Sequence, residues 1–410
     1  MSETVKSAPE HGTVALIVFL GILHALGAWS NDLFAPSLPL AADALGVGYG
    51  HIQLNMTALL LGFAAGQMLY GPLSDRFGRR STLVAGLAIY TFASVLCASA
   101  GSLEELVAAR TLQGLGGATG MVLVRAIILD RWVGEEASKV LSSVTMIAFL
   151  SPAVIPLIGG FLASLGHWPL VFWTHTGLGM CLLLGALTLL SGARGARPDV
   201  SVASRFRAYA DVLKDRRALL LIGCVGIGHG GLLAFVTNSA FVFVTYLGLQ
   251  PLEYGICFSA VMMGGVAGSL LNRRLVTDLG IPRMMAMGAA TMALSGVAAV
   301  ILNLFFGGIW SSLVPSICYM FGMAFILTNA VAQVLTRFRE IAGAAAALVG
   351  VNQLLLGALA AAVLSLNEAP SAMPLAAALA VAGIGSATMG WAWLGSVAAG
   401  ADGGQKEKKT

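Results

Sequence analysis

The sequence predicts an all-α membrane protein, twelve transmembrane helices in two pseudo-symmetric six-helix bundles, and three observations predict it. The 410 residues are 58% hydrophobic and only 10% charged, against about 25% charged in a soluble domain. Continuous apolar runs recur about every 34 residues, each long enough for the ~20 residues that a hydrocarbon core of ~30 Å requires. When the runs are counted as twelve spans, 21 of the 23 Lys and Arg residues fall at the loops and tails of a single side. The composition excludes soluble enzymes. Unbroken apolar runs also exclude the short alternating strands of an outer-membrane barrel.

Taken in order, polar, Gly and Pro borders set the first six spans at 13–37, 50–72, 82–101, 105–129, 139–164 and 169–191. The second six follow at 217–246, 253–271, 283–303, 310–336, 342–364 and 374–397. The one long polar stretch, 192–216, joins the bundle at 13–191 to the bundle at 217–397, with tails at 1–12 and 398–410. The first apolar run lacks a basic leader and a small-residue cleavage site, so it reads as an uncleaved span. Cys97, Cys181, Cys224, Cys257 and Cys318 sit singly inside apolar runs, without the paired spacing of a zinc site or a disulfide framework. They read as small core hydrophobes.

The basic residues fix orientation. They gather at the 2/3 loop (Arg76, Arg79, Arg80), the 4/5 loop (Arg131, Lys139), the 8/9 loop (Arg273, Arg274, Arg283) and the 10/11 loop (Arg337, Arg339), in both tails, and most densely in the central loop. The positive-inside rule then places both termini and the central loop in the cytoplasm.

Charges left inside the spans are functional candidates, because each is costly in lipid. Asp32 is the one carboxylate placed well within a span. Desolvation disfavours its charged form, which makes it a candidate proton carrier; the plainer role is a hydrogen-bond acceptor for Asn31 or a neighbouring helix. His24, Ala28, Asn31, Asp32 and Ala35 share one helix face. Arg110 and Arg125 lie fifteen residues apart on one face of span 4. Arg110 either biases the proton site through Gln113 or clamps neighbouring spans, and Arg125, nearer the cytoplasmic end, reads as structural.

The 2/3 loop, GPLSDRFGRRS, has Gly71 and Pro72 to end span 2, Asp75 to meet a helix N-terminus, Gly78 for a tight turn and three arginines. This string resembles the signature loop of the major facilitator superfamily. RTLQGLGGATG in span 4, with Arg110, Gln113 and Gly114, is similar to proton-coupled members, and RAIILD, Arg125 to Asp130, looks like the drug-exporter branch. SPAVIPLIGG in span 5, with Pro152, Pro156, Gly159 and Gly160, resembles the antiporter motif of exporters, although Ser151 and Ile155 replace small residues. SNDLFAPSLP in span 1 and the apolar stretches of spans 7 and 11 are similar to the drug:proton antiporters of the Bcr/CflA group.

The resemblance implies a twelve-span antiporter that exports small amphipathic compounds by alternating access. Asp32 is then the proton-binding acid and Arg110 its modulator. The residues of the 2/3 loop, with Gln113, Gly114, Arg125, Asp130 and the proline–glycine set of span 5, gate the change of conformation. Substrate contacts are expected near the midplane between the halves, at His24, Trp29, Asn31, Asn55, Met56, Met121, Met146 and Phe149 in the first bundle. The second bundle offers Phe235, Asn238, Phe241, Met262, Asn329, Asn352 and Gln353. His24 departs from a related exporter that carries a second acid near this point, which shifts the expected substrates from permanent cations to neutral or zwitterionic amphipaths. Expected partners are a small-molecule substrate, protons and the lipid bilayer of a bacterial inner membrane. Neither nucleic acid nor a cofactor or metal is expected, and the chain is expected to act as a monomer. No GxxxxGK[ST] loop occurs in the sequence, so ATP is not the expected energy source. A transporter of a specific metabolite or siderophore-like compound shares most of these features and stays open. A membrane enzyme lacks a catalytic cluster here, and a non-transporting sensor has no need of charges within the bilayer.

Overall fold

A computed structural model describes residues 10–132, 135–190, 209–366 and 371–407, and every regular element among them is a helix. Ten helices are long and apolar enough to cross a membrane. The one at Pro251–Phe305 has 55 residues, which is ~83 Å of helix and nearly three times the ~30 Å core. It breaks at Gly280 (φ 77, ψ 157) into spans 8 and 9. Glu135–Ser164 supplies span 5 around an apolar stretch at Val154–Ser164, and the described residues thus supply twelve candidate crossings. Most of the central loop, 191–208, lies outside the described residues.

Span 1 is longer than expected and it is broken. Its main helix runs Glu10–Asp32, a tight turn follows at Ala35–Ser37, and a second helix at Leu38–Leu45 carries it onward. Pro36 is the physical reason. It has no N–H for the carbonyl of Asp32, four residues back, and its ring crowds that carbonyl. Asp32 is therefore the last residue before the break.

Span 2 corrects a boundary in the other direction. Gly71 and Pro72 do not end it: the helix Leu54–Phe77 continues through Pro72 and stops at Gly78, whose φ of 89° is open to glycine. One intrahelical bond is lost at Pro72, while the Ser74 hydroxyl donates to the Gly71 carbonyl at 2.9 Å. Spans 3, 4 and 6 are Arg79–Ala98, Leu103–Arg131 and Pro169–Leu189. Span 7 is Arg216–Ala240 with a wider π-turn at Phe241–Tyr246, and spans 10, 11 and 12 are Ile309–Arg337, Ala342–Ser365 and Met373–Glu407.

Small residues set how closely these helices approach. A Cβ on Gly114 would strike the Leu59 carbonyl, and one on Gly62 the Thr111 carbonyl, so spans 2 and 4 meet backbone to backbone. Gly264 and Gly268 do the same for span 8 against the carbonyls of Ile317 and Phe321 in span 10. Spans 2 with 11, and 5 with 8, carry the main contact between the halves.

Candidate functional site

The two ends of the molecule differ. At the end bearing the 2/3 loop, a cavity of about 680 Å³ opens between the halves. Its first wall comes from His24, Gln67, Met121 and Arg125, with Gly71, Asp75 and Arg79 at the rim. The other wall is the small-residue face of span 11 from Gly343 to Gly350, and Tyr209 adds to the lining.

The opposite end is shut. Tyr49 stacks on Phe241 of span 7 with centroids 4.3 Å apart. Gly160 lets the Pro251 carbonyl approach to 2.6 Å of where a Cβ would sit, and Gly255 does so for the Pro156 carbonyl at 2.7 Å. Gly159 lies against the Leu33 carbonyl. The proline–glycine segment of span 5 thus packs span 5 against spans 1 and 8 at this closure; the side chain of Pro152 lies outside the described residues.

Asp32 sits beneath this closure, 6% exposed, and is the one buried carboxylate among the described residues. Its carboxyl lies against the Asn31 side chain, and Tyr254 of span 8 is within electrostatic reach. Tyr254 itself shares a 2.9 Å hydrogen bond with Ser239. Asp32 does not line the cavity.

Arg110 is fully buried, and among the described residues no carboxylate pairs with it. It donates to the Ser30 carbonyl and to Gln113 Oε1, both at 2.8 Å, to Asn55 Oδ1 at 3.2 Å, and it touches Met56 Sδ at 3.2 Å. Its plane faces the rings of Phe34 and Phe172 at 5.4 and 5.5 Å, which favours a cation. Gln113 passes the network on to Ser94 Oγ at 2.8 Å. The link from Arg110 to Asp32 therefore runs through the backbone of span 1: Ser30 belongs to the turn that ends at Asp32, and among the described residues no ion pair joins the two side chains.

Two further residues, Tyr90 and His175, hold that turn, and sequence reasoning missed them. The Tyr90 hydroxyl bonds Ser30 Oγ at 2.9 Å, and Ser30 Oγ donates to the Leu26 carbonyl. His175 Nε2 lies 3.3 Å from the Trp29 carbonyl. A lone histidine in span 6 and a tyrosine in span 3 were the available signals.

The other expected contacts divide by place. His24 and Met121 line the cavity. Asn55 and Met56 hold Arg110 instead. Phe235 is buried against Phe258, Asn329 donates to Asn272 at 2.7 Å, and Asn352 donates to the Ile222 carbonyl at 2.8 Å, all inside the second bundle. Phe241 belongs to the closed end. Met262 and Gln353 are half-buried. Trp29 Nε1, Asn31 Oδ1 and Asn238 Oδ1 are buried without a hydrogen-bond partner. The side chains of Met146 and Phe149 lie outside the described residues.

The 2/3 loop is fastened to its own bundle. Arg79 pairs with Asp75 at 2.6 Å and with Asp130 of span 4 at 3.2 Å, Arg80 donates to the Leu187 carbonyl at 2.7 Å, and Arg76 lies over the Phe77 ring. In the second bundle Asp215 accepts the Ala218 N–H at 3.0 Å, capping span 7, and pairs with Arg337. Its carboxyl is held below the usual carboxylate range: partial burial acts to raise it, and Arg337 with the backbone donors outweighs that.

The sequence profile of the Major Facilitator Superfamily matches residues 18–361. The chain belongs to that superfamily. It is a multi-pass membrane transporter by family, not an enzyme. Among relatives of the superfamily, the chain is similar to the bicyclomycin resistance protein homolog of Haemophilus influenzae (strain ATCC 51907 / DSM 11121 / KW20 / Rd), 28% identical, covering 89% of this chain and 92% of that protein. It is 29% identical to multidrug resistance protein D of Escherichia coli (strain K12), covering 82% and 85% of the two chains. The crystal structure of a D-xylose-proton symporter superposes with a TM-score of 0.72 at 15% identity, covering 92% of this chain and 97% of that one. That likeness shows the fold. The resemblance carried by the 2/3 loop is thus borne out for the superfamily.

Proposed function

We propose that this superfamily member exports small amphipathic compounds in exchange for protons, with Asp32 as the proton-binding acid. The observation that carries the reading is the position of Asp32: the one buried carboxylate among the described residues ends the helical turn that Arg110, Tyr90 and His175 hold, beneath a closed end and away from an open cavity. The carboxyl is shut off from the open cavity in this conformation, so under the exchange reading it meets proton and substrate only when the halves rearrange. The names of the relatives, which speak of bicyclomycin and multidrug resistance, support a drug-like substrate. The test is flux in proteoliposomes under an imposed pH gradient with a panel of amphipathic compounds. Failure of a gradient to drive any of them would reject the reading.

The bacterial relatives support a location in a bacterial cytoplasmic membrane, and the charge pattern supports an orientation with both termini and 192–216 in the cytoplasm. Single cysteines at 205 and 408, in a background without the native ones, are expected to resist impermeant maleimide in intact cells and to react in inverted vesicles. Labelling from the outside reverses the orientation.

His24 is assigned to substrate choice. It lines the cavity with Nδ1 unpartnered, and a neutral imidazole can donate one hydrogen bond and accept another. His24→Glu is expected to gain transport of lipophilic monocations and to lose some neutral substrates in a resistance or flux panel. If His24→Glu and His24→Ala lose all substrates in proportion to protein level, the residue only packs.

A further inference from the structure

The cavity holds a charge that the exchange reading leaves unused. Its first wall presents two guanidiniums, Arg79 and Arg125, and one carboxylate, Asp75. Arg79 is compensated twice, at 2.6 Å by Asp75 and at 3.2 Å by Asp130. Arg125 is not: its side chain is exposed, and among the described residues no carboxylate or carbonyl holds it. His24 stands within electrostatic reach of Arg125 and has a buried Nδ1 without a partner. Facing them, Gly343, Ala344, Ala346, Ala347 and Gly350 of span 11 form a low apolar wall without a polar side chain.

We propose that this cavity takes amphipathic monoanions, an aromatic or alicyclic body bearing one carboxylate, with Arg125 holding the carboxylate and His24 hydrogen-bonding beside it. The inference rests on reading the cavity as the substrate site and narrows the class of substrate. A guanidinium offers a carboxylate two parallel donors, and its attraction grows in a cleft partly stripped of water. The alanine–glycine wall accepts a flat apolar body, and Met121 on the facing wall adapts to varied outlines. A lipophilic cation meets the opposite situation. Arg125 repels it, and the one carboxylate among the residues lining the cavity, Asp75, is already engaged by Arg79.

Three probes sharing one body decide the matter: naphthoate, naphthamide and naphthyltrimethylammonium, titrated by calorimetry onto the full-length protein in nanodiscs. Naphthoate is expected to bind about tenfold tighter than naphthamide, the size of one charge-assisted hydrogen bond, and the cation weakest of the three. Arg125→Gln is expected to bring the naphthoate-to-naphthamide preference close to one, and Arg125→Lys to keep part of it. Naphthoate binding no tighter than naphthamide in the unmodified protein overturns the proposal, without dependence on whether a variant folds. So does a preference that survives Arg125→Gln intact. Proton-driven flux separates this outcome from the exchange reading: a naphthoate preference without gradient-driven export of any probe supports the anion site and rejects the exporter, and export of the neutral probe without an anion preference does the reverse.

Discussion

Asp32→Asn is expected to reduce proton-driven export to the level of protein-free liposomes while the protein still folds into the membrane. The amide matches the carboxyl in shape and can donate and accept hydrogen bonds, but it cannot take up and release a proton. Asp32 sits 6% exposed in a packed junction between spans 1 and 8, where an isosteric change is the mildest available. Loss of function with wild-type membrane levels is therefore the signature of a carrier. Flux at a fixed substrate gradient and flux driven by pH alone are compared in the same vesicles. Concentrative, pH-driven export by Asp32→Asn removes the residue from that role.

The second large effect is expected at Arg110. Arg110→Ala strands the Ser30 carbonyl, Asn55 Oδ1 and Gln113 Oε1 in a dry interior, at about 1–3 kcal/mol for each buried group left unsatisfied. Removal of a buried cation offsets part of this. The thermal midpoint should fall by several degrees. Coupling should fall further than binding, because Arg110 fixes the turn that ends at Asp32 and does not line the cavity. Arg110→Lys is expected to recover only part of the activity: an ammonium is a single compact charge, and it cannot reach three acceptors while stacking on Phe34 and Phe172. The readout is the pH dependence of flux beside substrate binding. A wild-type pH profile in Arg110→Ala leaves only the clamp.

What was legible in the sequence follows the range of the physics. The spans stand out because lipid enforces continuous apolar runs, and Asp32 stands out because a carboxylate within such a run is rare. The break after Asp32 was also written locally, in Pro36 and Pro39, yet the apolar run 13–37 reads through it because hydropathy does not register a missing N–H. Span 2 erred the opposite way: Gly71–Pro72 looks like a stop, and the packed bundle carries the helix to Phe77. The surroundings of Arg110 were beyond local pattern. Its partners come from spans 1, 2, 4 and 6, between 3 and 80 residues away in sequence, and one of its two shortest bonds goes to a backbone carbonyl, which no residue type announces. Asn55 and Met56 show the same limit. Their depth was readable, and the side to which they turn was not.

The turns after spans 2 and 8 have one backbone shape, φ 89 and ψ 151 at Gly78 and φ 77 and ψ 157 at Gly280. Matching turns at corresponding points of two bundles are what an internal repeat leaves in a chain. The copies are fastened unequally. Arg79 rivets the first turn to Asp75 and Asp130, whereas among the described residues Arg273, Arg274 and Arg283 around the second form no ion pair. In the second bundle the comparable fastening lies elsewhere, where Asp215 joins the start of span 7 to the end of span 10. A molecule of symmetric descent is thus mechanically lopsided: one bundle is stiffened across its loop, the other across the ends of two of its helices.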